Sequence, residues 1–404
     1  MKYFLLAGFI LQGFSCIAQN IGIGTNDPKA RLHVADSSVL FTGGTINSNA
    51  APPVSGPGNR LMWVAPKAAF RAGRVTGGEW DTHNIGNYSF AAGFDVKATG
   101  NYSFAGGNRA RAVGGSSIAL GFVAAAHGTS AVALGDVASA YGESSVSIGP
   151  GTYATGYRET VLGSYNIRTN GSVDVWRATD PLLVIGNGEQ HSLQSTAVTI
   201  LKNGNFGIGS TLPKAKLQID GDQLVKRNSS VGNAHLTLEE TQSGDGARIQ
   251  FRNSTTLNRS WELYGKPHLT NNNDALFNIY YSEIGDAMVL RGNGNVWFRG
   301  TVTQNSDARL KKNIIPLSNS LDKIGKLNGY NYHWKDSTRD QQLQTGLLAQ
   351  EMEILMPELV NADSAGIKSV NYTGLIPYLI EAIKAQQQQI EVLKNEVTEL
   401  KNRK

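Results

Sequence analysis

The sequence predicts a mainly β protein built around a repetitive coil, followed by a mixed α+β region that ends in a long helix. Three observations lead to this prediction: glycines that recur every fourteen residues, two related fifteen-residue segments that flank them, and a C-terminal heptad pattern. The first two are typical of extended repeat proteins, and the third is typical of a coiled coil.

The fourteen-residue repeat covers residues 86–166. Two glycine series mark it: Gly86, Gly100, Gly114, Gly128, Gly142 and Gly156, then Gly93, Gly107, Gly121, Gly135, Gly149 and Gly163. The fifth position of each unit holds Phe90, Phe104, Ile118, Val132, Val146 or Thr160, and the seventh holds Ala92, Gly106, Leu120, Leu134, Ile148 or Leu162. Because residues two apart share one face of a strand, we predict that both positions point into the coil and form a thin, continuous core.

Few and mostly small residues lie inside each turn of such a coil, so one chain buries little apolar surface. Side-by-side association would remedy this, and we expect an oligomer. The units at 117–121 and 130–135 resemble the head repeats of YadA-type trimeric autotransporter adhesins. That resemblance implies a left-handed parallel β-roll packed three together, and hence a homotrimeric fibre.

Two further β regions surround the head. Residues 20–34 and 205–219 align without a gap, and both carry Gly-Ile-Gly, then Pro, then Leu-x-Val or Leu-x-Ile. This pattern predicts a plain β-hairpin without a ligand, and it resembles the stalk units of fibrous proteins. Short alternating runs in residues 222–305 predict a small, mostly antiparallel module with strands at His235–Glu239, Ala247–Arg252, Ala275–Tyr281 and Asn295–Arg299.

The N-terminus has the features of a cleavable export signal. Lys2 precedes a short apolar run, Tyr3 to Leu11, and Cys16-Ile17-Ala18 supplies small residues before an expected cut after Ala18. A lipoprotein signal would use Cys16 instead, but Gly13 stands where a lipobox normally has Leu. We expect no transmembrane segment in the mature chain, which is exported to the cell surface or medium of a bacterium.

The charge pattern and the motif content exclude several other classes of protein. The net charge is +5, but residues 86–166 hold four acids and four bases, and residues 306–404 hold thirteen bases and twelve acids. Without a block of like charge, we expect no nucleic-acid partner. The seven histidines are scattered, and neither a paired-cysteine motif nor a phosphate-binding loop occurs. We therefore expect no metal and no cofactor.

Four motifs follow one another from Ser306 onwards. They are Asn305–Ile314, Tyr330–Lys335, Gly346–Glu351 and Val370–Tyr372. In this order they resemble the endosialidase-type intramolecular chaperone domain of phage tailspikes and tail fibres. The resemblance implies that residues 306–404 trimerise, guide the folding of the preceding fibre and then cut themselves off. It assigns Ser306 as nucleophile, Lys311 as base, and the bond between Asn305 and Ser306 as the cleavage site.

The dyad is chemically reasonable, but its spacing does not assemble it. A serine hydroxyl needs a base to become a nucleophile, and a lysine is a base only when burial or nearby positive charge lowers its pKa. Arg309 and Lys312 could supply that charge. Residues five apart face different directions on both a helix and a strand, so the dyad requires a turn between Ser306 and Lys311.

The C-terminal heptad predicts a coiled coil over residues 376–404. Position a holds Ile376, Ile383, Ile390 and Val397, and position d holds Leu379, Gln386, Leu393 and Leu400. β-Branched residues at a with Leu at d favour two strands in isolated coils. We nevertheless expect three, because the roll and the chaperone domain both imply trimers.

The sequence therefore predicts an exported, homotrimeric surface fibre, adhesive or structural, that acts as a Ser-Lys endopeptidase on itself only. Its partners would be its own copies and a cell-surface or glycan receptor. One alternative is a phage-type tail fibre or tailspike, although virions assemble in the cytoplasm and need no export signal; another is a non-cleaving trimerisation module on a secreted glycan-binding protein. The predicted segments are signal 1–18, entry 19–85, head 86–166, connector and second stalk repeat 167–221, β module 222–305 and chaperone domain 306–404.

Overall fold

The computed structural model describes residues 20–226, 234–242, 244–253, 259–268 and 274–403. The chain forms two compact units, divided between Leu224 and Val225. The predicted export signal, residues 1–18 with Cys16, lies outside the described residues. The division into six segments stays a prediction.

The first unit is built from β-strands. In chain order they are β1 (Ile21–Ile23), β2 (Leu32–Val34), β3 (Gly58–Val64), β4 (Ala69–Val75), β5 (Phe90–Phe94), β6 (Lys97–Ala98), β7 (Phe104–Asn108), β8 (Arg111–Ala112), β9 (Ile118–Phe122), β10 (Ala125–Ala126), β11 (Val132–Leu134), β12 (Ser139–Ala140), β13 (Val146–Ile148), β14 (Tyr153–Ala154), β15 (Thr160–Ser164), β16 (Pro181–Asn187), β17 (Thr196–Leu201), β18 (Phe206–Ile208) and β19 (Leu217–Ile219).

Strands β5 to β15 form a solenoid of fourteen-residue coils. Each coil gives one strand to a long sheet, ordered β3-β4-β5-β7-β9-β11-β13-β15-β16-β17-β18-β19, and most give a second to a short sheet, ordered β6-β8-β10-β12-β14. Neighbouring coils pair in parallel with equivalent positions side by side, as Ile118 lies beside Val132. The predicted mainly β class and the parallel repeat are confirmed. The long sheet also extends beyond the repeat, from Gly58 to Ile219.

The two glycine series serve different geometric needs. The series that begins at Gly93 turns the chain, with φ from +97° at Gly163 to +136° at Gly121, a range that residues with a Cβ rarely adopt. The series that begins at Gly86 lets successive coils approach each other. A Cβ placed on Gly114 would lie 2.0 Å from the carbonyl oxygen of Gly128 in the next coil.

The structure corrects the predicted orientation of the coil strands. The interior is filled by the sixth position of each unit, since Ala91, Ala105, Ala119, Ala133, Ser147 and Val161 are all 0% exposed. The fifth and seventh positions, predicted to point inward, face outward instead; Ile118 and Leu120 are each 36% exposed. A fourteen-residue coil leaves little space between its two sheets, so methyl-sized side chains fill it. The predicted thin core exists, but it is a column of alanines.

The large apolar residues of the repeat form a continuous band on the outside of the long sheet. We call this band the outer stripe; it comprises Phe90, Phe104, Ile118, Leu120, Val132, Leu134, Val146, Ile148 and Leu162. Its members stack on their counterparts in the next coil, as the Phe90 and Phe104 rings do with centroids 4.7 Å apart. Contacts along the stack leave the outward side of the stripe open to solvent.

The last coil of the solenoid is closed by a buried carboxylate. In an earlier coil the N–H of Gly100 donates to the carbonyl oxygen of Ala112 in the coil that follows. After the last coil no equivalent carbonyl is in place, and Oε2 of Glu159 accepts the N–H groups of Thr155 and Gly156 at 2.8 and 2.6 Å. Glu159 thus caps donors that would otherwise be buried without a partner.

The first coil is closed by buried cations. Lys67 Nζ donates to the carbonyl oxygens of Thr82 and Ile85 at 2.6 and 2.9 Å. The Arg71 guanidinium donates to the carbonyl oxygens of Ser89 and Ala98 at 3.0 and 3.1 Å, and burial lowers the pKa of Arg71 to about 10. Cations therefore satisfy carbonyls at one end of the stack, and a carboxylate satisfies N–H groups at the other.

The two flanking repeats have the same fold, and it is not the predicted hairpin. β1 pairs with β2, and β18 pairs with β19, in parallel and with the same eleven-residue offset, Ile21 beside Leu32 and Phe206 beside Leu217. In both copies an asparagine Nδ2 donates to the carbonyl oxygen of the equivalent proline, Asn20 to Pro28 at 3.1 Å and Asn205 to Pro213 at 3.0 Å. The residues between the strands form a loop that returns the chain to its start, which a hairpin would not do.

The second unit begins with an antiparallel sheet. Its strands are β20 (Ala247–Arg252), β21 (Ser260–Lys266), β22 (Leu276–Tyr281), β23 (Gly285–Arg291) and β24 (Val296–Phe298), in that spatial order. The predicted antiparallel module is present, and three of its predicted strands correspond to β20, β22 and β24. The strand predicted at His235–Glu239 is wrong, because those residues form no strand; β21 and β23 were not predicted.

The C-terminal part of this unit mixes helices with short strands. Its elements are α1 (Ser320–Gly325), β25 (Tyr330–Tyr332), β26 (Gln344–Gly346), α2 (Ala349–Leu355), β27 (Val360–Ala362), β28 (Lys368–Val370) and α3 (Leu375–Asn402). Its core consists of Met352, Met356, Leu359 and Tyr378. The predicted α+β region that ends in a long helix is confirmed.

Candidate functional site

The predicted nucleophile and base lie in contact with each other. Lys311 Nζ donates a hydrogen bond to Oγ of Ser306 at 2.8 Å. A single 3₁₀ turn, Ala308–Leu310, reverses the chain between them, and Oδ1 of Asp307 begins that turn by accepting the N–H of Arg309 at 2.9 Å. The turn therefore supplies the proximity that a five-residue spacing alone does not.

The position of Arg309 differs from the expectation that it lies near Lys311. Arg309, considered as a source of positive charge near Lys311, binds the carboxylate of Asp307 instead, with its Nε 3.1 and 3.0 Å from the two carboxylate oxygens. This contact holds the pKa of Asp307 below its ordinary value and raises the pKa of Arg309. The Arg309 charge is thus already balanced. Ser306 and Lys311 are both exposed to solvent.

The remaining three predicted motifs are bonded to one another. Tyr330, in the second motif, donates its hydroxyl to Oε1 of Glu351 in the third at 2.7 Å. The Tyr372 hydroxyl, in the fourth motif, accepts the N–H of Leu347 in the third at 2.8 Å. The motifs therefore form one folded body, and the sequence order alone did not show which residues join them.

Two contacts attach the dyad segment and the long helix to this body. Just before the expected cleavage site, Gln304 Nε2 donates to Oγ1 of Thr373 at 3.4 Å. On α3, the Tyr378 hydroxyl donates to Oε1 of Glu358, and this hydrogen bond raises the pKa of Tyr378 to about 12. The long helix therefore starts from a fixed position on the domain core.

The beginning of the C-terminal domain is unusually apolar for an exposed segment. Leu310, Ile314 and Ile315 are 73%, 67% and 80% exposed. The heptad residues of α3 are exposed too, with Ile383 at 64% and Leu393 at 58%. These residues of the dyad segment and of the helix seam therefore stay uncovered in one chain.

No group of three or more possible metal ligands occurs among the described residues. None of the described helices combines the length and the apolar character needed to cross a membrane.

Comparison with known families agrees with the geometry. Residues 306–361 match the family model described as chaperone of endosialidase, and the match begins at Ser306 itself. The second unit therefore carries a chaperone-of-endosialidase domain. In this chaperone domain the matched segment includes both dyad residues and the Tyr330–Glu351 hydrogen bond.

Relatives of known type are long tail fibres of phages. The chain is 31% identical over 135 residues to the long tail fiber protein Gp37 of Salmonella phage S16, a match that covers 30% of this chain and 18% of that protein. It is 38% identical over 78 residues to the long tail fiber protein Gp37 of Escherichia phage AR1, over 18% of this chain and 7% of that protein. The chain thus spans less than a fifth of either relative.

Proposed function

We propose that the chain is an exported, homotrimeric fibre of the tail-fibre type, whose C-terminal chaperone domain drives trimer assembly and then cleaves itself off before Ser306. The observation that carries the proposal is the 2.8 Å contact between Lys311 Nζ and Ser306 Oγ. In this scheme the fibre is adhesive or structural, and its own Asn305–Ser306 bond is its only substrate.

The exposed apolar surfaces support a trimer. The outer stripe runs along the solenoid, and the heptad positions run along α3; both are uncovered in one chain. Full burial of a Leu or Ile side chain stabilises an assembly by roughly 1.5–3 kcal/mol, so covering nine stripe residues and the helix seam favours association strongly. The Ala-filled interior offers no comparable gain within one chain.

Assembly would also switch on the cleavage chemistry. In one chain Lys311 Nζ donates to Oγ of Ser306, whereas a general base must accept the hydroxyl proton. Burial lowers a lysine pKa because the charged form loses its hydration. The exposed Leu310, Ile314 and Ile315 are the surface that a neighbouring protomer would cover, and that contact would bury Lys311 as well.

The proposed reaction is an acyl shift followed by hydrolysis. Neutral Lys311 takes the hydroxyl proton, and Oγ of Ser306 attacks the carbonyl carbon of Asn305. The peptide C–N bond breaks, the freed amino group of Ser306 takes the proton back from Lys311, and an ester joins Asn305 to Oγ. Water then hydrolyses this ester and releases a fragment that begins at Ser306.

A phage-type tail fibre is the second candidate, and the two named relatives favour it. The predicted export signal in residues 1–18 is the feature that favours a surface fibre instead, because virions assemble in the cytoplasm. Expression of the full chain, followed by fractionation and N-terminal sequencing, separates the candidates. A mature N-terminus at Gln19 in the exported fraction supports the surface fibre, and an intact Met1 in the cytoplasm supports the phage fibre; a start at a lipidated Cys16 would support a lipoprotein.

Gel electrophoresis of the purified full chain tests the self-cleavage. Wild type should yield a C-terminal fragment that begins at Ser306. Ser306→Ala should remain full length and still form trimers by light scattering, while Ser318→Ala, a nearby exposed serine, should be cut like wild type. A folded wild-type trimer that stays uncut would reduce the domain to a trimerisation module, and a stable folded monomer would remove the trimer as well.

A further inference from the structure

The antiparallel sheet β20–β24 has two faces of opposite character. One face is apolar and exposed in a single chain, with Phe251, Trp261, Phe277, Leu290 and Phe298 among its residues. The other carries polar and tyrosine side chains, because the paired rows Arg248–Tyr264–Asn278 and Gln250–Glu262–Tyr280 alternate with the apolar rows. In the proposed trimer the apolar face is the one that neighbouring chains would cover, so the polar face stays open.

A pocket of about 410 Å³ lies on the polar face. Its lining consists of Arg248, Glu262, Tyr264, Asn278 and Tyr280. A volume of a few hundred cubic ångströms is the size of small-ligand sites in proteins, and such sites combine aromatic walls with a few polar groups.

Asn278 lines this pocket, and the oxygen of its side-chain amide has no hydrogen-bond partner among the described residues. The residue is 8% exposed, and its Nδ2 donates to Oδ1 of Asp286 at 2.5 Å. Its Oδ1 is buried and accepts no hydrogen bond from any described residue. A buried polar atom without a partner costs about 1–3 kcal/mol, and a ligand that donates to it would recover that free energy.

The cation that lines the pocket is already paired with carboxylates. The Arg248 guanidinium lies 2.5 Å from Oδ1 of Asp245 and 3.7 Å from Oε2 of Glu262, and 5.0 Å from the centroid of the Tyr264 ring. It therefore offers no unbalanced positive charge to an anionic ligand. Glu262 is bound on its other side by Gln250 Nε2, which donates to Oε1 at 2.8 Å.

The Tyr280 ring supplies the remaining surface. No described ring or cation stacks on it, unlike Tyr281 on the opposite face, which stacks on Trp261 with centroids 4.8 Å apart. A tyrosine combines a flat apolar face with a hydroxyl that can donate and accept. A neutral ligand with apolar C–H faces and many hydroxyl groups matches this combination. It could place a face on the Tyr280 ring, donate to Oδ1 of Asn278 and accept from the ion-paired Arg248.

We propose that this pocket binds a neutral saccharide, with one sugar ring on Tyr280 and one sugar hydroxyl donating to Oδ1 of Asn278. The site deepens the proposed function, on which it rests, by giving the fibre an adhesive surface on its β module. Arg248 and Glu262 would bind further sugar hydroxyls from the side, and the carboxylates paired with Arg248 would disfavour an acidic sugar.

An array of neutral and acidic oligosaccharides, probed with the full-length trimer, tests the proposal. Wild type should retain neutral oligosaccharides. Tyr280→Ala and Asn278→Ala should each weaken the retention about ten-fold or more, as the loss of a stacking surface or a buried hydrogen bond predicts. Tyr141→Ala, an exposed tyrosine of the head, is the matched control and should bind like wild type.

Light scattering and gel electrophoresis on the same samples separate this proposal from the trimer and the cleavage. A folded trimer that retains no neutral oligosaccharide, or retains only acidic ones, overturns the site while leaving the fibre intact. Equal binding by the Tyr280 and Asn278 variants places the binding elsewhere. If either variant fails to fold, Tyr280→Leu removes the aromatic face at similar bulk and Asn278→Leu keeps the shape without the acceptor, and unchanged binding by both would overturn the assignment.

Discussion

The side-chain amide of Asn166 forms a pair of hydrogen bonds with the backbone of Tyr153: its Oδ1 accepts the Tyr153 N–H at 2.9 Å, and its Nδ2 donates to the Tyr153 carbonyl at 3.1 Å. In the earlier coils the corresponding N–H donates to the backbone carbonyl of the next coil, as that of Ser139 does to Thr152. Asn166 thus closes the free edge of the short sheet with a side chain that has the chemistry of a peptide group.

Replacing Asn166 should loosen this edge. Asn166 is 0% exposed, and Asn166→Ala leaves the half-buried Tyr153 N–H and carbonyl without these partners, so we expect the free energy of unfolding to fall by about 1–3 kcal/mol. Hydrogen exchange over residues 153–156 in the full chain should show faster exchange, while Asn108→Ala, an exposed asparagine, should not alter it. Unchanged protection in Asn166→Ala would mean that the edge is held by other contacts.

The Glu159 cap should make the stability of the head depend on pH. Burial raises the pKa of Glu159 above its ordinary value in spite of its hydrogen bonds. A carboxyl whose pKa is higher in the folded state contributes stability at low pH, and that contribution is lost as the pH rises through the folded-state pKa. Glu159→Gln keeps an acceptor without a charge. The melting temperature of this variant, relative to that of wild type, should therefore rise between about pH 4 and about pH 8. A difference that does not change with pH would contradict this prediction.

Substitutions on the two sides of one strand should affect different properties, trimer formation on the outside and stability of the coil on the inside. Ile118→Asp places a charge on the outer stripe, and we expect it to prevent trimerisation while the coil keeps its β circular dichroism. Ala119→Leu overfills the interior, where the native side chain is 0% exposed, and should destabilise the coil by about 1–3 kcal/mol. Light scattering and urea unfolding distinguish the two effects. A trimer of normal stability in Ile118→Asp would exclude the stripe as the interface.

Neighbouring glycines provide a matched pair. The Cβ of Gly114→Ala would lie 2.0 Å from the carbonyl oxygen of Gly128, whereas that of Gly115→Ala would come no closer than 3.9 Å to any neighbour. The first should separate two coils and cost several kcal/mol, as strained substitutions at such sites do. The second should be neutral or stabilise by about 0.4–1 kcal/mol, because it restricts the unfolded chain. Equal stability of the two variants would show that the coils can move apart freely.

The assignment of Lys311 as the base can be tested by comparing it with the neighbouring Lys312. Lys311→Met and Lys311→Arg should both abolish cleavage, the second because arginine keeps its proton at working pH. Lys312→Met should cleave at the wild-type rate, since Lys311 is the residue in contact with Ser306. The rate of appearance of the fragment that begins at Ser306 is the measurement. Normal cleavage by Lys311→Met would exclude Lys311 as the base while leaving Ser306 as a possible nucleophile.

The sequence predicted the periodic features well, because glycine spacing and heptads act locally. It could not predict which side of a coil strand faces inward, since alternation marks two sides without saying which one the chain encloses. The Ala at the sixth position, as in Ala119, was the available signal. Glu159 also carried a signal, because it occupies a position that holds Ser or Ala in the earlier units, as Ser145 and Ala131 show.

The remaining features depend on turns, loops and strand alignments whose closure the sequence alone does not show. The parallel pairing of β1 with β2 depends on a loop closing across Asn20 and Pro28, and a strand–turn–strand pattern does not distinguish it from a hairpin. The contact of Ser306 with Lys311 depends on the turn that Asp307 begins. The pocket at Asn278 requires three strands to align, one of which, β21, the sequence did not reveal.

The outer stripe has one further consequence for assembly. Its residues repeat every fourteen positions with little change, so three solenoids could associate out of step by a whole coil and still bury similar apolar surface. Such staggered fibres would be almost as stable as the correct one and would hold the three chains out of register with one another. The chaperone domain does not repeat, so in the proposed trimer three copies of it would fit together in only one alignment. A proofreading role against staggered association would then explain why a chaperone domain follows so regular a head.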